Sequence, residues 1–470
     1  MKRNAVWLSG LLLVTSLSHA GDLRLGRASV PITPPVGMPM GGYFELRLAT
    51  GTHDDLYAKA LVLEKDGVKA ALVACDIESL PRQAVQAARD LIQKTTGLRG
   101  ENVMISATHA HTGPEMSPFF LAWAEGQTAE IARQYHASLP AKIAEAVGRA
   151  EQNLAPARAW AAIGHEDSLS FNRRFLMKDG TVRFNPGKQN PEAVRALGPI
   201  DPAVPVVYFD SPDGRPLAAY VNFALHLDTV GGTEFSADYP YTLARLLAAT
   251  RGPDMLTAFT IGTAGNINHL DVNRLARQQG HDDAARIGTV LAEEVLKTLE
   301  RLKAVPAGPL QVRREIVKLP LYELKPGELE AGREVFDRVR RKGPGAAEFL
   351  ETVHGYKVLN IAAYQGKPIE AEVQVISLGD QIAWVALPGE VFVELGLALK
   401  NASPFPQTMV IELAHDMIDY IPNRKAFAEG GYEAVNSRCQ PGGGEMLVEA
   451  ATQLLIDAYA RLYPKQPTLQ

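Results

Sequence analysis

The sequence predicts an α/β fold, in which mixed β-sheets are flanked by helices within a single large domain. Short apolar runs with the length of strands alternate along most of the chain with segments whose apolar residues recur at helical spacing. Interleaved strands and helices favour one α/β unit over separate helical and sheet domains. The 470 residues would allow more than one domain, but no linker or internal repeat divides them.

The clearest elements are predicted in the first 300 residues. Their apolar patterns predict strands at 58–63, 70–75, 103–106, 204–209, 218–224 and 256–261. They predict helices at 82–95, 135–147, 241–250 and 283–302. Pro140 is expected to kink or divide the second helix, because proline lacks the N–H that a helix interior needs.

The chain changes in character after residue 305. The patterns predict strands at 310–319, 371–378, 381–387 and 409–413, helices at 327–341 and 446–462, and a glycine-rich loop at 430–444. The helix at 327–341 is highly charged, as expected of a solvated excursion. We therefore predict that residues 305–370 form an insertion within one domain of residues 21–470.

Residues 1–20 have the features of a secretory signal peptide. Lys2 and Arg3 precede a short apolar run, and the small residue Ala20 ends the segment. The run is too short to span a bilayer. We expect cleavage after Ala20 and a periplasmic or secreted protein, the alternative being a retained N-terminal anchor.

Composition restricts the classes of function. The net charge of −5 and the lack of a basic footprint give no support for a nucleic-acid partner. Cys75 and Cys439 could pair in an oxidising compartment, but Cys75 lies in a strand-like run where a buried, unpaired thiol is expected. The sequence has no CxxC pair, which excludes a cysteine-type zinc site.

A histidine-rich segment follows the strand predicted at 103–106. His109 and His111 are two residues apart on extended backbone, so both side chains point to the same side. Imidazole is a common zinc ligand, so the pair indicates a metal site, with an ordinary surface loop as the alternative. The sequence contains neither HExxH nor GxSxG, so the zincin and α/β-hydrolase arrangements are not supported.

The segment from Thr108 to Pro114 resembles the THTHSGP element of the neutral ceramidases. Other residues match further elements of that family in the same order, namely Arg173 in Asn-Arg-Arg, His226 at a predicted strand end, Glu390 in Pro-Gly-Glu, Tyr420 in Asp-Tyr-Ile and Tyr432 in Tyr-Glu-Ala. Each match alone has a structural alternative, such as a helix start for Glu390 or a buried aromatic for Tyr420. The joint order favours function, and the resemblance extends over nearly the whole chain after residue 20.

The resemblance implies a zinc site in a catalytic domain. The zinc ligands that it implies are His109, His226, Glu390 and Tyr420. Two imidazoles, a carboxylate and a phenolic oxygen form an N/O set that suits zinc and leaves room for a water. Tyr432 is then expected to donate to the oxyanion, Arg173 to orient the substrate, and His111 to pass a proton to the leaving amine.

The sequence also departs from the family. Where ceramidases carry a serine at the catalytic centre, this chain has Gly265 in Gly-Thr-Ala-Gly-Asn, so attack by metal-bound hydroxide is expected instead. Gly265 and Asn266 are expected to offer backbone and amide donors to the substrate. Pro422 and Asn423 replace the family's Thr-Thr, and the family's C-terminal immunoglobulin-like domain is not recognised here.

These residues together predict an exported, zinc-dependent amidohydrolase that cleaves an N-acylated, ceramide-like lipid. A small-molecule or lipid amide is the expected partner, with transient contact to a membrane surface. One alternative is a zinc hydrolase of small soluble amides or esters, and another is a non-catalytic binding protein that retains the fold. A long apolar groove beside the metal would favour the lipid substrate.

Overall fold

The computed structural model describes residues 22–306 and 308–463, and the predicted signal peptide lies outside this part of the chain. Its first strands are β1 (Arg24–Pro31), β2 (Pro39–Met40), β3 (Arg47–Leu48), β4 (Gly51–Thr52), β5 (Tyr57–Lys65), β6 (Val68–Cys75), β7 (Val103–Ala107) and β8 (Ala155–Pro156). The next are β9 (Arg158–His165), β10 (Phe171–Asn172), β11 (Arg174–Met177), β12 (Val182–Phe184), β13 (Ala193–Ala196), β14 (Ala203–Asp210), β15 (Pro216–Phe223), β16 (Glu234–Phe235), β17 (Leu256–Ile261) and β18 (Ile267–Asn268). The last are β19 (Lys303–Ala304), β20 (Leu310–Leu319), β21 (Ile369–Leu378), β22 (Ile382–Ala386), β23 (Glu390–Val391), β24 (Gln407–Ile411) and β25 (Tyr420–Ile421).

The helices alternate with these strands. They are α1 (Arg82–Thr96), α2 (Pro118–Leu121), α3 (Gly126–Gln152), α4 (Tyr239–Arg251), α5 (His281–Leu299), α6 (Glu328–Lys342), α7 (Phe349–Ala363), α8 (Val393–Ala402), α9 (Arg424–Glu429), α10 (Tyr432–Asn436) and α11 (Gly443–Ala460). Among the residues described, no helix combines the length and the apolar character needed to cross a membrane.

Three sheets form the centre of the molecule. The first has the strand order β7-β6-β5-β1-β8, the second β17-β15-β14-β9-β19, and the third β20-β21-β22-β24. Each is mixed: β6 and β7, β15 and β17, and β22 and β24 are parallel, whereas the other long neighbours run antiparallel. The predicted α/β class with mixed sheets and flanking helices is confirmed.

Alternation along the strands explains how the sheets pack. In β5, Ala60 and Val62 face one hydrophobic cluster while Leu61 and Leu63 face another, as the two-residue period of a strand requires. Helices cover the outer faces: α3 contacts the first sheet, α4 and α5 the second, and α8 and α11 the third. The inner faces of all three sheets share one core, whose members include Leu61, Leu72, Val207, Phe209, Tyr220, Ile376, Trp384 and Met409.

Most predicted elements lie within a few residues of the observed ones, and the exceptions have physical causes. Helix α3 is not divided at Pro140 but runs unbroken for 27 residues, because its apolar face, including Leu139 and Ile143, is buried against the first sheet. The predicted loop at 430–444 contains the short helix α10. The residue before this helix, Gly431, has a positive φ of +93°, which favours glycine. Cys75 and Cys439 are buried free thiols.

The range predicted as an insertion contains two different structures. Strand β20 pairs with β21 along its whole length and is part of the third sheet. The excursion is the helical hairpin of α6 and α7, which the sequence patterns predicted only in part because they missed α7. Aromatic contacts anchor it, since Phe336 lies 4.6 Å from Trp123 and Tyr356 stacks on Phe120 at 5.2 Å between ring centroids.

Lys357 of α7 gives a prediction about stability. It is buried, its ammonium lies 3.7 Å above the ring centre of Tyr322, and burial lowers its pKa from 10.5 to about 8. Below pH 8 the folded protein bears the whole cost of this buried charge, and the cost is relieved as the pH rises from 8 to 10.5. We expect Lys357→Met to raise the free energy of unfolding at pH 7 by at most about 3 kcal/mol. Denaturant titrations at pH 7 and pH 10 check this: the advantage of the variant should shrink at pH 10, and an equal difference at both pH values would contradict the prediction.

Candidate metal centre

The candidate site lies where parallel strands of all three sheets end. His109 and His111 follow β7 of the first sheet, His226 follows β15 of the second, and Glu390 follows β22 of the third. Loops after the carboxyl ends of parallel strands are a common place for binding sites in α/β proteins. Backbone hydrogen bonds join these loops, because Ala107 N–H donates to Leu413 O and His415 N–H donates to Ile105 O.

His109 and His226 are oriented in the same way. The Nδ1 of His109 lies 2.9 Å from the carbonyl oxygen of Glu78, and the Nδ1 of His226 lies 2.9 Å from that of Ala264. A carbonyl oxygen only accepts, so each Nδ1 carries the proton and donates it. In the neutral form of each ring, Nε2 then keeps its lone pair, which is how proteins present a histidine to a metal. Burial lowers the pKa of His109, but Glu390 and Glu78 outweigh burial and raise that pKa to about 9, so a metal that binds here has to displace a proton from this ring.

The backbone of His109 is unusual. Its φ of +74° lies in the left-handed region that residues other than glycine rarely adopt. Hydrogen bonds hold this conformation, since His109 N–H donates to Ile77 O and its ring donates to Glu78 O. Such backbone strain persists where the surroundings fix it, and here it turns the imidazole toward the site.

Three donor atoms converge at mutual distances that suit a metal ion. The two Nε2 atoms of His109 and His226 are 3.0 Å apart, and Glu390 Oε2 is 3.4 Å from the first and 3.3 Å from the second. A tetrahedral zinc ion with ligand distances of about 2.0–2.1 Å holds its ligand atoms roughly 3.3 Å apart. The three atoms thus have the dimensions of one face of such a tetrahedron.

The Glu390 carboxylate supports the same conclusion. Burial alone would raise its pKa, but His109 and His226 outweigh burial and hold that pKa well below the ordinary value, so the group is ionised. Its Oε2 is buried and accepts no hydrogen bond of acceptable geometry in the described structure. With both rings neutral, two lone pairs and an anionic oxygen face one point, an arrangement that a cation would satisfy. The donor set therefore fits a metal.

Tyr420 and His111 both lie next to the three donor atoms of His109, His226 and Glu390. Tyr420 pairs with Glu390 in the register of β23 and β25, and its hydroxyl accepts a hydrogen bond of 2.9 Å from Arg173 Nη2. His111 places its Nε2 3.3 Å from that of His109. The roles predicted for Tyr420 as a ligand and for His111 as a proton shuttle stay predictions, and the structure brings both residues to the site.

Arg173 is fixed behind Tyr420 in a buried network. Its Nε donates to Glu433 Oε1 (3.0 Å), and its Nη2 donates to Gly265 O (2.8 Å) as well as to Tyr420. The other oxygen of Glu433 accepts from Arg174 Nη1 at 3.0 Å. The substrate-orienting role of Arg173 stays a prediction, while these bonds show that Arg173 positions the Tyr420 hydroxyl.

Tyr432 lies beside Tyr420 and lines the cavity described below. The two rings are 5.2 Å apart between centroids. Burial raises the pKa of Tyr432, so the phenol keeps its proton and can donate it. Its predicted role as an oxyanion donor stays a prediction.

Gly265 and Asn266 use their donors inside the protein. Gly265 N–H donates to Val391 O (3.0 Å), and the Asn266 amide donates to Glu394 Oε2 (2.9 Å) while its Oδ1 accepts from Val393 N–H (2.9 Å). Asn266 thereby caps the first turn of α8. Their predicted substrate-binding role stays a prediction, and the donor groups it invoked are engaged by these internal bonds.

The space at Gly265 is the more informative feature. A Cβ atom built there would lie 2.5 Å from the carbonyl oxygen of Glu390 and 2.9 Å from its carbonyl carbon. The backbone of the Gly265 loop and that of Glu390 touch too closely for any side chain. The residue at the position of the family's serine is therefore glycine for a steric reason.

A cavity of about 790 Å³ opens from the candidate centre. One part of its wall is formed by His109, His111, Glu390, Tyr420 and Tyr432. Another part of the wall is apolar and aromatic, formed by Phe44, Met116, Phe119, Phe120 and Tyr356. A third part carries charged side chains, namely Arg82, Lys318, Lys367, Glu370 and Asp416.

A second histidine cluster does not have the geometry of a metal site. His53 and His281 stack with centroids 3.6 Å apart and rings only 11° from parallel, next to Asp54. Lone pairs of imidazole lie in the ring plane, so an ion shared by two stacked rings would lie well outside both planes. Asp54 already accepts hydrogen bonds from Ser236 Oγ and Ala237 N–H.

Sequence reasoning missed two buried carboxylates around the centre. Glu433 is fully buried and bridges Arg173 and Arg174, and two adjacent buried arginines require such a counterion. Glu412 accepts a hydrogen bond from Val391 N–H, and burial and the nearby Glu390 raise its pKa well above the ordinary value. The arginine pair was the signal for Glu433, whereas no local pattern marks Glu412.

The fold and the site together define the chain as an α/β protein with a buried His, His and Glu centre at converging strand ends. No family model matches the chain. A curated neutral ceramidase from Pseudomonas aeruginosa is 28% identical over 232 residues, which are 47% of this chain and 33% of that protein. The match thus spans about one third of the relative's length.

Solved structures show the same likeness. The crystal structure of neutral ceramidase from Pseudomonas aeruginosa superposes with a TM-score of 0.72 at 18% identity, over 94% of this chain and 75% of that one. A structure described as ceramidase complexed with C2 gives the same TM-score and identity, over 94% and 76%. The predicted resemblance is confirmed, and this chain is neutral-ceramidase-like in fold.

Proposed function

We propose that the protein is a zinc-dependent amidohydrolase that cleaves an N-acylated, ceramide-like lipid. The convergence of the His109 and His226 lone pairs with the ionised Glu390 carboxylate carries this proposal. The likeness to neutral ceramidases in sequence and fold supports the amide bond as the target. A zinc ion bound there would polarise a carbonyl and make water nucleophilic near pH 7.

The surrounding side chains then have separate tasks. The Tyr432 hydroxyl, kept protonated by burial, donates to the oxygen on which negative charge develops. His111 lines the cavity, and its Nδ1 has no hydrogen-bond partner in the described structure, so no carbonyl fixes its tautomer as in His109 and His226. An imidazole without a fixed tautomer is suited to take a proton and pass it to the leaving amine.

The cavity supports a substrate with both apolar and polar parts. The aromatic wall near Phe120 and Tyr356 suits an acyl or alkyl chain, and the charged part of the wall suits a polar head group. The charged residues also favour a second candidate, a hydrolase of small soluble amides or esters. A series of N-acyl substrates of increasing chain length distinguishes the two, because the lipid proposal requires kcat/KM to rise with chain length.

Metal analysis combined with amine release tests the proposal as a whole. We expect about one zinc per chain and release of amine from long-chain N-acyl substrates. Turnover that persists after complete removal of metal would overturn the metal-dependent mechanism. Bound zinc without turnover on any amide or ester would instead support a binding protein that retains the fold.

Replacing Tyr432 by Phe tests the oxyanion donor. We expect kcat to fall by about 10²–10³-fold with zinc still bound, because removal of one such donor has an effect of this size. Steady-state kinetics and metal content are measured together. Tyr322→Phe is the control, since the Tyr322 hydroxyl donates to Glu328 and does not line the cavity. An unchanged kcat in Tyr432→Phe would remove that residue from the reaction.

We also propose that the protein acts in the periplasm or outside the cell. The basic start, the short apolar run and Ala20 in residues 1–20 support export. Cell fractionation with N-terminal sequencing of the mature chain tests it. A mature protein that starts at Gly21 is expected, and a chain that keeps Met1 in the cytoplasm would refute export.

A further inference from the structure

The end of the helical hairpin presents apolar side chains to solvent. The ion pair between Arg338 of α6 and Glu351 of α7 (2.7 Å) joins the two helices, and residues 339–350 lie beyond it. We call residues 339–350 the hairpin tip. Phe349 and Leu350 in the tip are 43% and 44% exposed. Large apolar side chains exposed side by side mark surfaces that contact a partner or a membrane.

The hairpin tip is also basic, in a chain whose net charge is −5. It contains Arg340, Arg341, Lys342 and one acid, Glu348. Arg340 pairs with Glu125, whereas Arg341 and Lys342 are exposed and have no ion pair in the described part of the chain. Unpaired cations beside exposed apolar residues are complementary to an anionic lipid surface.

The hairpin tip stands beside the catalytic cavity. The ring of Phe349 lies 5.2 Å from that of Tyr432, 5.4 Å from Phe184 and 5.9 Å from Phe44. Tyr432 and Phe44 both line the cavity. A surface that received the tip would therefore lie next to the cavity that the proposed lipid substrate must enter.

We propose that the hairpin tip docks the protein on an anionic phospholipid bilayer. Arg341 and Lys342 attract the charged head groups, and Phe349 and Leu350 enter the boundary between head groups and acyl chains. Docking itself needs no catalysis. Its use for delivering substrate rests on the proposed hydrolysis of an N-acylated lipid.

Vesicle co-sedimentation of the full-length protein tests the docking. Vesicles of phosphatidylcholine with about 30% phosphatidylglycerol, which gives the surface a negative charge, are compared with vesicles of phosphatidylcholine alone. We expect binding to the anionic vesicles only, with binding weakened as salt is raised. The double variant Arg341→Glu/Lys342→Glu should bind at least about 25-fold more weakly, because each basic residue near an anionic surface strengthens binding about five-fold. Leu350→Ser should weaken binding several-fold.

Matched variants separate docking from catalysis and from folding. Lys94→Glu/Lys303→Glu makes the same charge change at two exposed lysines of α1 and β19 and should bind as the unmodified protein does. His109→Ala, which removes a proposed metal ligand, should still bind the vesicles, so docking stands even if the proposed hydrolysis fails. Equal binding to zwitterionic vesicles, or equal loss of binding in the Lys94/Lys303 variant, would overturn the assignment to the hairpin tip.

Discussion

Replacement of His109 by alanine is expected to remove the metal and the activity together. Its Nε2 lies 3.0 Å from that of His226 and 3.4 Å from Glu390 Oε2. The substitution therefore removes one of the three donor atoms that converge at the proposed metal site. We expect the zinc content to fall from about one per chain to near zero, and kcat/KM to fall by at least about 10³-fold, because metal polarisation is worth several kcal/mol.

The control for this variant is a histidine on the surface. His165 of β9 has a side chain that is 67% exposed, and His165→Ala should keep both metal and activity. Elemental analysis, amine release and the far-ultraviolet circular dichroism spectrum are measured on the same preparations. If His109→Ala retained full activity with an intact fold, His109 would be excluded from the catalytic centre.

Introducing a serine at position 265 is expected to damage the site rather than create a nucleophile. The new Cβ atom would lie 2.5 Å from Glu390 O, a distance at which backbone must move. Overpacking of this kind costs about 1–3 kcal/mol of stability. Because the displaced residue is Glu390, we also expect zinc affinity to fall at least about 10-fold.

Gly148→Ser is the matched control for Gly265→Ser. A Cβ atom at Gly148 of α3 would meet only the Thr96 methyl group, at 3.9 Å. Chemical denaturation and zinc titration on both variants measure the effect. Gly265→Ser with unchanged stability and unchanged zinc affinity would show that the two backbones do not approach as closely as described.

The parts of the site that follow from local pattern were predictable from the sequence. A short apolar strand followed by His109-Ala110-His111 predicts that the two histidines lie at the end of a strand, and it indicates metal binding. The pairing of Glu390 with Tyr420 was not predictable by physical reasoning, because β23 and β25 are two residues long and carry no strand pattern. Only the likeness to a known family connected these two residues before the structure did.

Helix α7 shows why part of the fold escaped prediction. It is buried on most of its surface, so its sequence lacks the polar face that makes a helix recognisable by its period. Pro140 led to the opposite error, a predicted break in a helix that is continuous. The free energy lost with one backbone hydrogen bond is smaller than the free energy gained by burying the long apolar face of α3. In both cases tertiary packing outweighed the local signal.

The origin of the three donor atoms in three different sheets has a consequence for how the protein matures. His109, His226 and Glu390 follow strands of the first, second and third sheets, so no single sheet holds the complete set. If the proposed metal binds there, it binds the assembled state and stabilises that state alone. Removal of a bound metal would then loosen the junction between the sheets, and limited proteolysis of the metal-free protein is expected to cut there first.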